Sequence, residues 1–569
     1  MKLNNIWGYG QLFGFSGIDG KNRYYNDFIG VLMRKKIEIR FELKDWVKVC
    51  FPVKGRVKFK AITGDMIEAQ TQDGAFFLTF ADADTLVGYS PVKPILKSQK
   101  KLKYEKSWNV DVWYNPSKSW FNAMDCFGIV TQEENGLYKF AIHHSHSQSE
   151  ARSGANYYIN ADIEKLKETR YAYYRNMPKC KDKKYEKLYY KALSVNKVNV
   201  HSAEGKIPCA WTTPDRVPHR HMWLWDSVFH ALAIVTYNQE LAKDAIRAVL
   251  SQQRNDGFIA HMMNPTDDSD VTQPQVLAWG VWEVYKKTGD KAFLEECVGA
   301  LEKYLEWDKA HRDKNGNGLL EWFTEPDYTE CKCGESGLDN SPRFDFDEDM
   351  DAIDFSCFQA RDSKYLSLIF QELGDEEKAL RWEREYEVLK EKIASEMYDE
   401  ETGAFYDKLY NGKLTKMLTP SSFLPMFAEI CTKEQAEKMV KTLTDESELW
   451  TNVPLATISQ KHPTFSTDMW RGGVWLNLNY FIIKGLQNYG YDELADELRE
   501  KTLEMVNKWY KKTGSIFEFY DPKNEIAPYY CDRKGKARKT PDWRKQVHSI
   551  ADYNWSACFT ILFIQRELY

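Results

Sequence analysis

The chain has 569 residues, of which 43% are hydrophobic and 28% are charged, and its formal net charge is −6. This length exceeds one ordinary hydrophobic core, so we expect two or three domains, or one large helical domain with an attachment. The acidic balance argues against a nucleic-acid partner, because no general excess of Lys and Arg could neutralise phosphates. The basic run 533–545 is short and is interpreted as a solvated loop.

The N-terminus and the cysteines bear on the compartment. Residues 1–8 lack the apolar run of a signal peptide, and no stretch has the apolar length of a membrane span. The eleven cysteines are odd in number and follow no disulfide framework. We therefore expect reduced thiols in a cytoplasmic protein without a membrane partner.

Residues 1–162 are predicted to form an antiparallel β-sandwich domain. Apolar and polar residues alternate from Lys36 to Leu43 and again from Arg56 to Ile62, which is the period-two signature of half-buried strands. Glycines at turn-like intervals separate such short strands, as is typical of a sandwich. Residues 163–185 are charged and rich in lysine, and they are predicted to form a helical linker.

Residues 186–569 are predicted to be nearly all helix. Helices that are apolar on all sides alternate with helices that carry one apolar stripe, and a helix of the second kind covers one of the first. About a dozen helices in this alternation favour an (α/α)6 barrel, a double ring of helical hairpins. The predicted helices span residues 185–194, 226–235, 241–252, 275–287, 291–309, 350–373, 375–397, 421–430, 433–443, 473–486, 491–511 and 553–567.

Polar and aromatic clusters lie in the loops between these helices. Each cluster closely precedes or follows a helix, so we expect them to line one mouth of the barrel, on loops that a rigid scaffold holds. The 19 Trp and 33 Tyr of the chain offer faces that can stack on sugar rings or simply fill the core. The clusters span residues 218–226, 253–261, 270–274, 335–343, 468–475 and 514–522.

Two carboxylates in these clusters are candidates for acid/base catalysis. Inverting glycosidases use a protonated carboxyl at the leaving oxygen and a second carboxylate, roughly 6.5–9.5 Å away, that activates a water. Asp339 is the candidate acid because its sequence neighbours are apolar, and apolar surroundings disfavour an ionised carboxyl. Glu518 lies between two phenylalanines and is the candidate base. Either carboxylate taken alone could instead cap a helix or close a turn.

Two further positions are candidates for binding a sugar. Asp226, which follows Trp225, can cap a helix N-terminus or accept hydrogen bonds from two sugar hydroxyls. Arg471, which follows Trp470, can hold a carboxylate or sugar hydroxyls through its guanidinium group, or it can form a structural ion pair.

Residues 313–321 have the pattern of a cation-binding loop. Side-chain oxygens occur at alternating positions with glycines between them, as at the start of an EF-hand. The pattern departs from an EF-hand because Thr324 stands at the twelfth position, where a glutamate is required. We expect a structural Ca²⁺ here, and the alternative is an Asx-rich turn without a metal. The candidate ligands are Asp313, Asn315, Asn317, Leu319 and Glu321.

Six motifs occur in a fixed order along the helical region. They are Trp225-Asp226-Ser227-x-Phe229, Gln273-Pro274, Glu335-Ser-Gly-x-Asp339-Asn-Ser-Pro342, Trp470-Arg-Gly-x-x-Trp475, Glu518-x-Tyr520-Asp521-Pro522 and Tyr553-x-Trp555-Ser556. In this order they resemble glycoside hydrolase family 63, which contains the processing α-glucosidases and their bacterial relatives. Family 37 trehalases are similar more distantly. One departure is Gly473, where relatives often have proline.

The resemblance implies an inverting, exo-acting glycoside hydrolase that cleaves an α-glucosidic or related α-glycosidic bond in a small oligosaccharide or glucoside. It implies Asp339 as the general acid and Glu518 as the general base, with no cofactor for catalysis. Bacterial relatives carry a calcium site at a loop comparable to 313–321, which also favours Ca²⁺ there. The expected substrate-binding residues are Trp225, Asp226, Gln273, Glu335, Asn340, Trp470, Arg471, Trp475, Tyr520 and Trp555.

Other functions of the same fold stay open at this point. An (α/α)6 barrel can carry a sugar epimerase, a lyase or a phosphorylase, in which His219, His221 or His261 could act as a base. A carbohydrate-binding protein is a further alternative. Among glycosidases, α-mannosyl, glucosylglycerate-type and rhamnosyl substrates are alternatives to α-glucosides. We expect the chain to be a monomer or a homodimer.

Overall fold

The computed structural model describes residues 1–8, 10–25, 28–32, 37–41, 47–98, 101–107, 109–115, 124–325, 327–328, 330–345, 348–535 and 548–567. The chain divides into two compact units. The first comprises Met1–Ala203, Asp215–Arg220 and Trp509–Ile516, and the second comprises Glu204–Pro214, His221–Lys508 and Phe517–Tyr569. The first unit thus includes the segment predicted as a linker, and the predicted domain boundaries stay predictions.

The first unit is rich in β-strands. Within its described residues, one sheet has the strand order β1-β2-β3-β4-β9 and a second has the order β10-β11-β12-β13-β8-β7-β6-β5, with antiparallel neighbours throughout. These strands are β1 (Gln11–Phe13), β2 (Gly30–Leu32), β3 (Ile37–Phe41), β4 (Val47–Phe51), β5 (Lys58–Ile62), β6 (Met66–Gln70), β7 (Ala75–Asp82), β8 (Thr85–Ser90), β9 (Ile95–Ser98), β10 (Lys103–Ser107), β11 (Val110–Asn115), β12 (Asp125–Glu134) and β13 (Leu137–Ser145).

Apolar side chains from both sheets form one hydrophobic core. Phe13 and Val49 enter it from the smaller sheet, and Leu86 enters it from the larger one. The next residue, Val87, belongs to a second hydrophobic cluster, together with Ala155 of the helix Gln148–Tyr158. Successive residues therefore point to opposite faces, as the period-two pattern predicts. Two predicted strands are found as β3 and β5; residues 36, 42 and 43 of the first lie outside the described residues.

Helices make up most of the remaining regular secondary structure among the described residues. The first unit contains α1 (Gln148–Tyr158), α2 (Ile163–Arg175) and α3 (Glu186–Val198). The helices that follow are α4 (Leu224–Ile234), α5 (Gln239–Leu250), α6 (Leu277–Thr288), α7 (Lys291–His311), α8 (Ile353–Leu373), α9 (Glu376–Glu396), α10 (Leu424–Phe427), α11 (Lys433–Leu443), α12 (Leu476–Asn488), α13 (Asp492–Thr513) and α14 (Asn554–Gln565). Among the described helices, none combines the length and the apolar character needed to cross a membrane.

Six helices of the second unit contact one another in a closed cycle. Helix α4 contacts α6, α6 contacts α8, and the cycle returns to α4 through α10, α12 and α14. Every residue of α4 and α14 is buried, whereas α9 and α11 bury only one stripe. The alternation of wholly buried and half-buried helices is thus present in the second unit, as the apolar pattern predicts.

One predicted helix differs clearly from the structure. The prediction for residues 421–430 is wrong in length, since a 3-10 turn at Pro420–Phe423 leads into the four-residue α10. Pro425 near its start has no N–H to donate, and Glu429 just past its end has a φ of 58°, in the left-handed region.

Candidate active site

The stretch from Glu335 to Arg343 forms successive turns before α8. The N–H of Gly337 donates to the carbonyl of Gly334 at 3.1 Å, and the N–H of Ser341 donates to the carbonyl of Leu338 at 2.8 Å. Gly337 has a φ of 71°, and a Cβ at this position would overlap the ring of Trp225. Glycine is therefore required both by the backbone conformation and by the close approach of the indole.

Asp339 lies on these turns and faces a cation. The Nζ atom of Lys534 is 2.7 Å from Oδ2 of Asp339, whose side chain is 24% exposed. The apolar neighbours of Asp339 in sequence are therefore only part of its surroundings. Leu338 and Phe344 are buried close to it in sequence, but a residue far along the chain brings an ammonium group to the carboxylate.

Glu518 is buried, at 2% exposure, in the loop before α14. Its carboxylate pairs with the guanidinium of Arg533, and Oε2 also accepts the N–H of Ile550 at 3.4 Å. The main chain of Glu518 is held as well, because its N–H donates to the Ile550 carbonyl at 2.9 Å and its carbonyl accepts the Ser556 hydroxyl at 3.2 Å. The carboxylate thus has a fixed position.

Arg533 and Lys534 are site residues that sequence analysis missed. Interpreting the basic run 533–545 as a solvated loop is wrong for these two, because Arg533 is 3% exposed and both pair with candidate catalytic carboxylates. The backbone N–H groups of Lys534 and Gly535 donate to Asp468 at 2.6 and 2.7 Å, which anchors the loop. Residues 536–545 lie outside the described residues. A buried carboxylate needs a compensating cation, and this requirement was the signal in the sequence that could have pointed to Arg533 and Lys534.

The first turn of α4 presents Asp226 in a buried position. Oδ1 of Asp226 has no hydrogen-bond partner among the described residues. Burial, reinforced by the nearby Glu518, raises the pKa of Asp226 well above its usual range. Gln273 caps the N-terminus of α4 in place of Asp226, since its Oε1 accepts the backbone N–H of Trp225 at 3.1 Å. Asp226 therefore keeps an oxygen that a ligand hydroxyl could use.

The four tryptophans that are predicted to bind substrate form one aromatic cluster. Trp470 stacks on Trp475 with ring centroids 3.7 Å apart, and Trp555 stands edge-on to both Trp475 and Trp225 at 5.6 Å. All four are buried. The indole Nε1 atoms of Trp470 and Trp555 have no acceptor among the described residues. Buried donors without partners are costly, so these two groups suit the hydroxyls of a bound sugar.

Glu335 is fully occupied by protein donors. Arg312 makes two hydrogen bonds to its carboxylate, at 2.9 Å from Nε and 2.7 Å from Nη2. The backbone N–H groups of Thr272 and Phe323 donate to the same carboxylate at 3.1 and 2.7 Å. Glu335 is expected from sequence to bind substrate, but this arrangement favours a role in holding the loops of the site.

Three other predicted binding residues have structural partners. Oδ1 of Asn340 accepts the backbone N–H of Trp470 at 3.1 Å, and the buried hydroxyl of Tyr520 accepts the backbone N–H of Phe517 at 2.9 Å. Arg471 forms an ion pair with Asp345 at 2.7 Å, which is the structural alternative considered for it. These contacts hold the site loops, and direct sugar contacts by the three residues stay predictions.

The predicted cation loop is closed by its own hydrogen bonds. Oδ1 of Asn315 accepts the Asn317 N–H at 2.9 Å, and Oδ1 of Asn317 accepts the Leu319 N–H at 2.7 Å. Glu321 accepts the Lys314 N–H at 2.8 Å. Both asparagine amide groups donate to Asp351 at 2.8 Å, and an amide nitrogen cannot ligate a cation. These contacts are those of an Asx-rich turn.

One oxygen of the loop is left over. Oδ1 of Asp313 is buried and has no partner among the described residues, while Oδ2 accepts the Gly318 N–H at 3.0 Å. Calcium takes six to eight oxygen ligands, and the candidate side chains of the loop already accept turn N–H groups. The expected Ca²⁺ site therefore stays a prediction.

The histidines considered as alternative bases have different surroundings. Nδ1 of His261 lies 2.6 Å from the Ser269 hydroxyl, and burial lowers the pKa of His261 below its usual value. His219 belongs to the first unit, where its Nδ1 lies 3.1 Å from Asp215. The Nδ1 atom of each of these two histidines thus has a partner of its own among the described residues.

Comparison with known proteins identifies the second unit. The sequence model of the mannosylglycerate hydrolase MGH1-like glycoside hydrolase domain matches residues 219–556. The chain is 24% identical over 395 residues to mannosylglycerate hydrolase MGH1 of Selaginella moellendorffii, covering 55% of this chain and 78% of the relative. It is 29% identical over 265 residues to an uncharacterised protein of Borreliella burgdorferi, of which it spans about half, 53%.

A solved structure shows the same fold. The GH63 mannosylglycerate hydrolase of Thermus thermophilus, in complex with Tris and D-glycerate, aligns with a TM-score of 0.52 and 21% identity. The alignment covers 66% of this chain and 99% of that chain. At this identity the likeness concerns the fold alone.

Proposed function

The chain belongs to the mannosylglycerate hydrolase MGH1-like domain family of glycoside hydrolase family 63, and from this premise we propose that it is an inverting α-glycosidase. Its substrate is a small α-glycoside from which it removes the terminal hexose. The relatives named as mannosylglycerate hydrolases favour an α-mannosyl or α-glucosyl unit on a small hydroxy acid over a longer oligosaccharide.

One observation carries the proposal. Asp339 and Glu518 are far apart in the chain, yet they pair with the adjacent residues Lys534 and Arg533. Consecutive Cα atoms are about 3.8 Å apart, so the two carboxylates lie around one short piece of loop. A pair of carboxylates about one site is what inverting glycoside hydrolysis requires.

The reaction assigns one role to each carboxylate. Asp339 donates a proton to the glycosidic oxygen as the aglycone leaves. Glu518 accepts a proton from a water that attacks the anomeric carbon on the opposite face, and the product has inverted configuration. Arg533 and the Ile550 N–H hold the Glu518 carboxylate, which suits a group that has to orient one water.

Lys534 bears on the aglycone. The Nζ atom of Lys534 lies 2.7 Å from Oδ2 of Asp339, so the glycosidic oxygen of a bound substrate has to take the place of this contact to reach that oxygen. When Lys534 moves away from Asp339, the carboxylate of a glycerate-type aglycone would offer its ammonium group a new anionic partner. The site cations therefore support an acidic aglycone.

The unpartnered groups of the site bear on the sugar. Asp226 Oδ1 supplies an unpartnered carboxyl oxygen, and the indole N–H groups of Trp470 and Trp555 supply two donors. Hexose hydroxyls can satisfy all three at once.

We also propose the finer architecture. The closed cycle of α4, α6, α8, α10, α12 and α14 forms the inner ring of an (α/α)6 barrel, with α5, α7, α9, α11 and α13 among the outer helices. The two sheets of the first unit form a β-sandwich around their shared core.

The test is the anomeric configuration of the first product. Proton NMR of early hydrolysis of α-mannosylglycerate and α-glucosylglycerate, in phosphate-free buffer, should show the β-hexose before mutarotation. An α-hexose as first product would contradict Glu518 as the base. A sugar 1-phosphate formed only after addition of phosphate would instead identify a phosphorylase.

A further inference from the structure

A group of metal-ligand side chains lies at one end of the larger sheet in the first unit. Strand β13 ends at Ser145, so it contains His143 and His144, and His146 follows it at a bend; its partner β12 begins at Asp125. The ring centroids of His144 and His146 are 5.4 Å apart, in an edge-on arrangement. Phe127 is the register partner of His144, so Asp125, two residues before Phe127, lies on the same face of the sheet as His144.

The distances within this group suit a tetrahedral metal. The nearest ligand atoms of Asp125, His144 and His146 all lie within 4.8 Å of one another. Nε2 of His144 and Oδ1 of Asp125 are 3.4 Å apart, which is long for a hydrogen bond. Zinc binds such N and O ligands at about 2.0–2.2 Å, so two ligands of a tetrahedral ion stand about 3.4 Å apart.

The two histidine rings are held in orientation by their surroundings. Nδ1 of His146 lies 3.2 Å from the Met124 carbonyl, and because a carbonyl only accepts, this nitrogen carries the proton. The neutral ring then has its lone pair on Nε2, where a metal can bind. His144 is buried, with its ring stacked on Phe28 at 5.8 Å and tilted against Phe127 at 5.1 Å.

The group opens onto a cavity. His144 and His146 line a space of about 470 Å³, together with Arg23, Asp84 and Glu150. A metal held by three protein ligands at this wall keeps a fourth position for water or another small ligand. Imidazole and carboxylate ligands together suit zinc and similar divalent transition metals rather than calcium.

We propose that Asp125, His144 and His146 bind one divalent transition metal ion of the zinc class. This site belongs to the first unit, and the candidate active site belongs to the second. The proposal is independent of the glycosidase activity, because it rests on ligand identity, strand register and ring orientation.

Equilibrium dialysis against Zn²⁺, after removal of metal with EDTA, tests the site. The whole chain should retain one equivalent of Zn²⁺ more than its His146→Gln variant. His146 is exposed, so this substitution leaves the fold intact, which circular dichroism checks. His311→Gln replaces another exposed histidine, in α7, and should retain the same metal as the unchanged chain. Equal uptake by the unchanged chain and His146→Gln overturns the proposal.

Co²⁺ in place of Zn²⁺ reports the ligands. A four-coordinate Co²⁺ ion with nitrogen and oxygen ligands should give visible d–d bands. In the Asp125→Asn variant these bands should be absent, or the apparent affinity for Co²⁺ should fall at least about tenfold. A sulfur-to-cobalt charge-transfer band would assign the metal to a thiol such as the half-buried Cys180 or Cys209, and this also overturns the proposal.

Discussion

Two adjacent cations, Arg533 and Lys534, serve different carboxylates of the candidate site. Arg533 meets a buried partner, Glu518, whereas Lys534 meets the partly exposed Asp339. A buried ion pair holds its geometry because separating it leaves a charge without compensation. The partly exposed pair of Lys534 and Asp339 can separate at lower cost when a substrate replaces one partner. The proposed base is thus held fixed and the proposed acid is accessible.

Conservative substitutions of the two carboxylates test their roles. We expect Asp339→Asn and Glu518→Gln each to lower kcat by about 10²–10⁴-fold, because each removes a proton donor or acceptor from the reaction. Steady-state kinetics on a cleaved α-glycoside measures the loss. Asp492→Asn is the matched control, since Asp492 is an exposed carboxylate at the start of α13, outside the candidate site. Near-normal turnover in either variant would exclude that residue from its assigned role.

Asp226 gives a prediction for the pH dependence of stability. Its pKa is raised by burial and by Glu518, so the folded chain keeps a proton that the unfolded chain releases above about pH 4. This contribution to stability is complete below that pH and is lost as the pH rises towards the folded pKa. Asp226→Asn removes it. The unfolding free energy of the variant, relative to the unchanged chain, should therefore rise with pH by at most about 1.4 kcal/mol per unit.

Urea unfolding at several pH values measures this difference. Asp492→Asn, exposed at the start of α13, controls for the chemistry of the substitution. A difference that stays constant across the series would mean that Asp226 titrates alike in the folded and unfolded chain.

At the scale of elements, the loop that carries Arg533 joins the 3-10 turn at Pro528–Tyr530 to the region before α14. Arg533→Gln should lower the unfolding free energy by about 3–5 kcal/mol, because Glu518 would stay buried without its cation. Arg566→Gln breaks the exposed pair with Asp496 and should cost about 0–1 kcal/mol. Thermal unfolding compares the two variants, and equal losses would show that the Glu518 pair is not a buried one.

The loop at 313–321 makes a separate prediction. If the loop binds Ca²⁺, calcium should raise the melting temperature of the unchanged chain but not of Asp313→Asn. At 100 times Kd the stabilisation amounts to about 2.7 kcal/mol. Asp445→Asn is the matched control, because Asp445 also accepts turn N–H groups, at Ser447, on an exposed surface. Identical melting in calcium and in EGTA would establish the Asx-rich turn.

Helix positions followed closely from the apolar pattern in most of the second unit. Helix α11 has the predicted bounds, and α7 begins at the predicted Lys291. The pattern succeeds because burial of one stripe or of the whole surface repeats along each helix. It fails at α10, where two prolines and a left-handed residue interrupt the backbone inside an apolar run.

For the whole molecule, the sequence motifs fall on the loops that carry the candidate site. Asp339, Glu518, Asp226 and the four tryptophans lie on turns or first turns beside helices, and their functional roles stay predictions. The motifs did not predict which charged residues pair with one another. Glu335 is held by Arg312, and Arg471 is held by Asp345, because each pair joins segments that the fold brings together.

The sequence by itself determined the alternation of strands and helices, the family and the loops that carry the candidate chemistry. These properties depend on periodicity and on short motifs, which can be read within a few residues. Only the tertiary structure decided which charges meet. Arg533 and Lys534 belong to a basic run that a local pattern assigns to solvent. They reach Glu518 and Asp339 because packing sets distances between residues that are far apart in the chain.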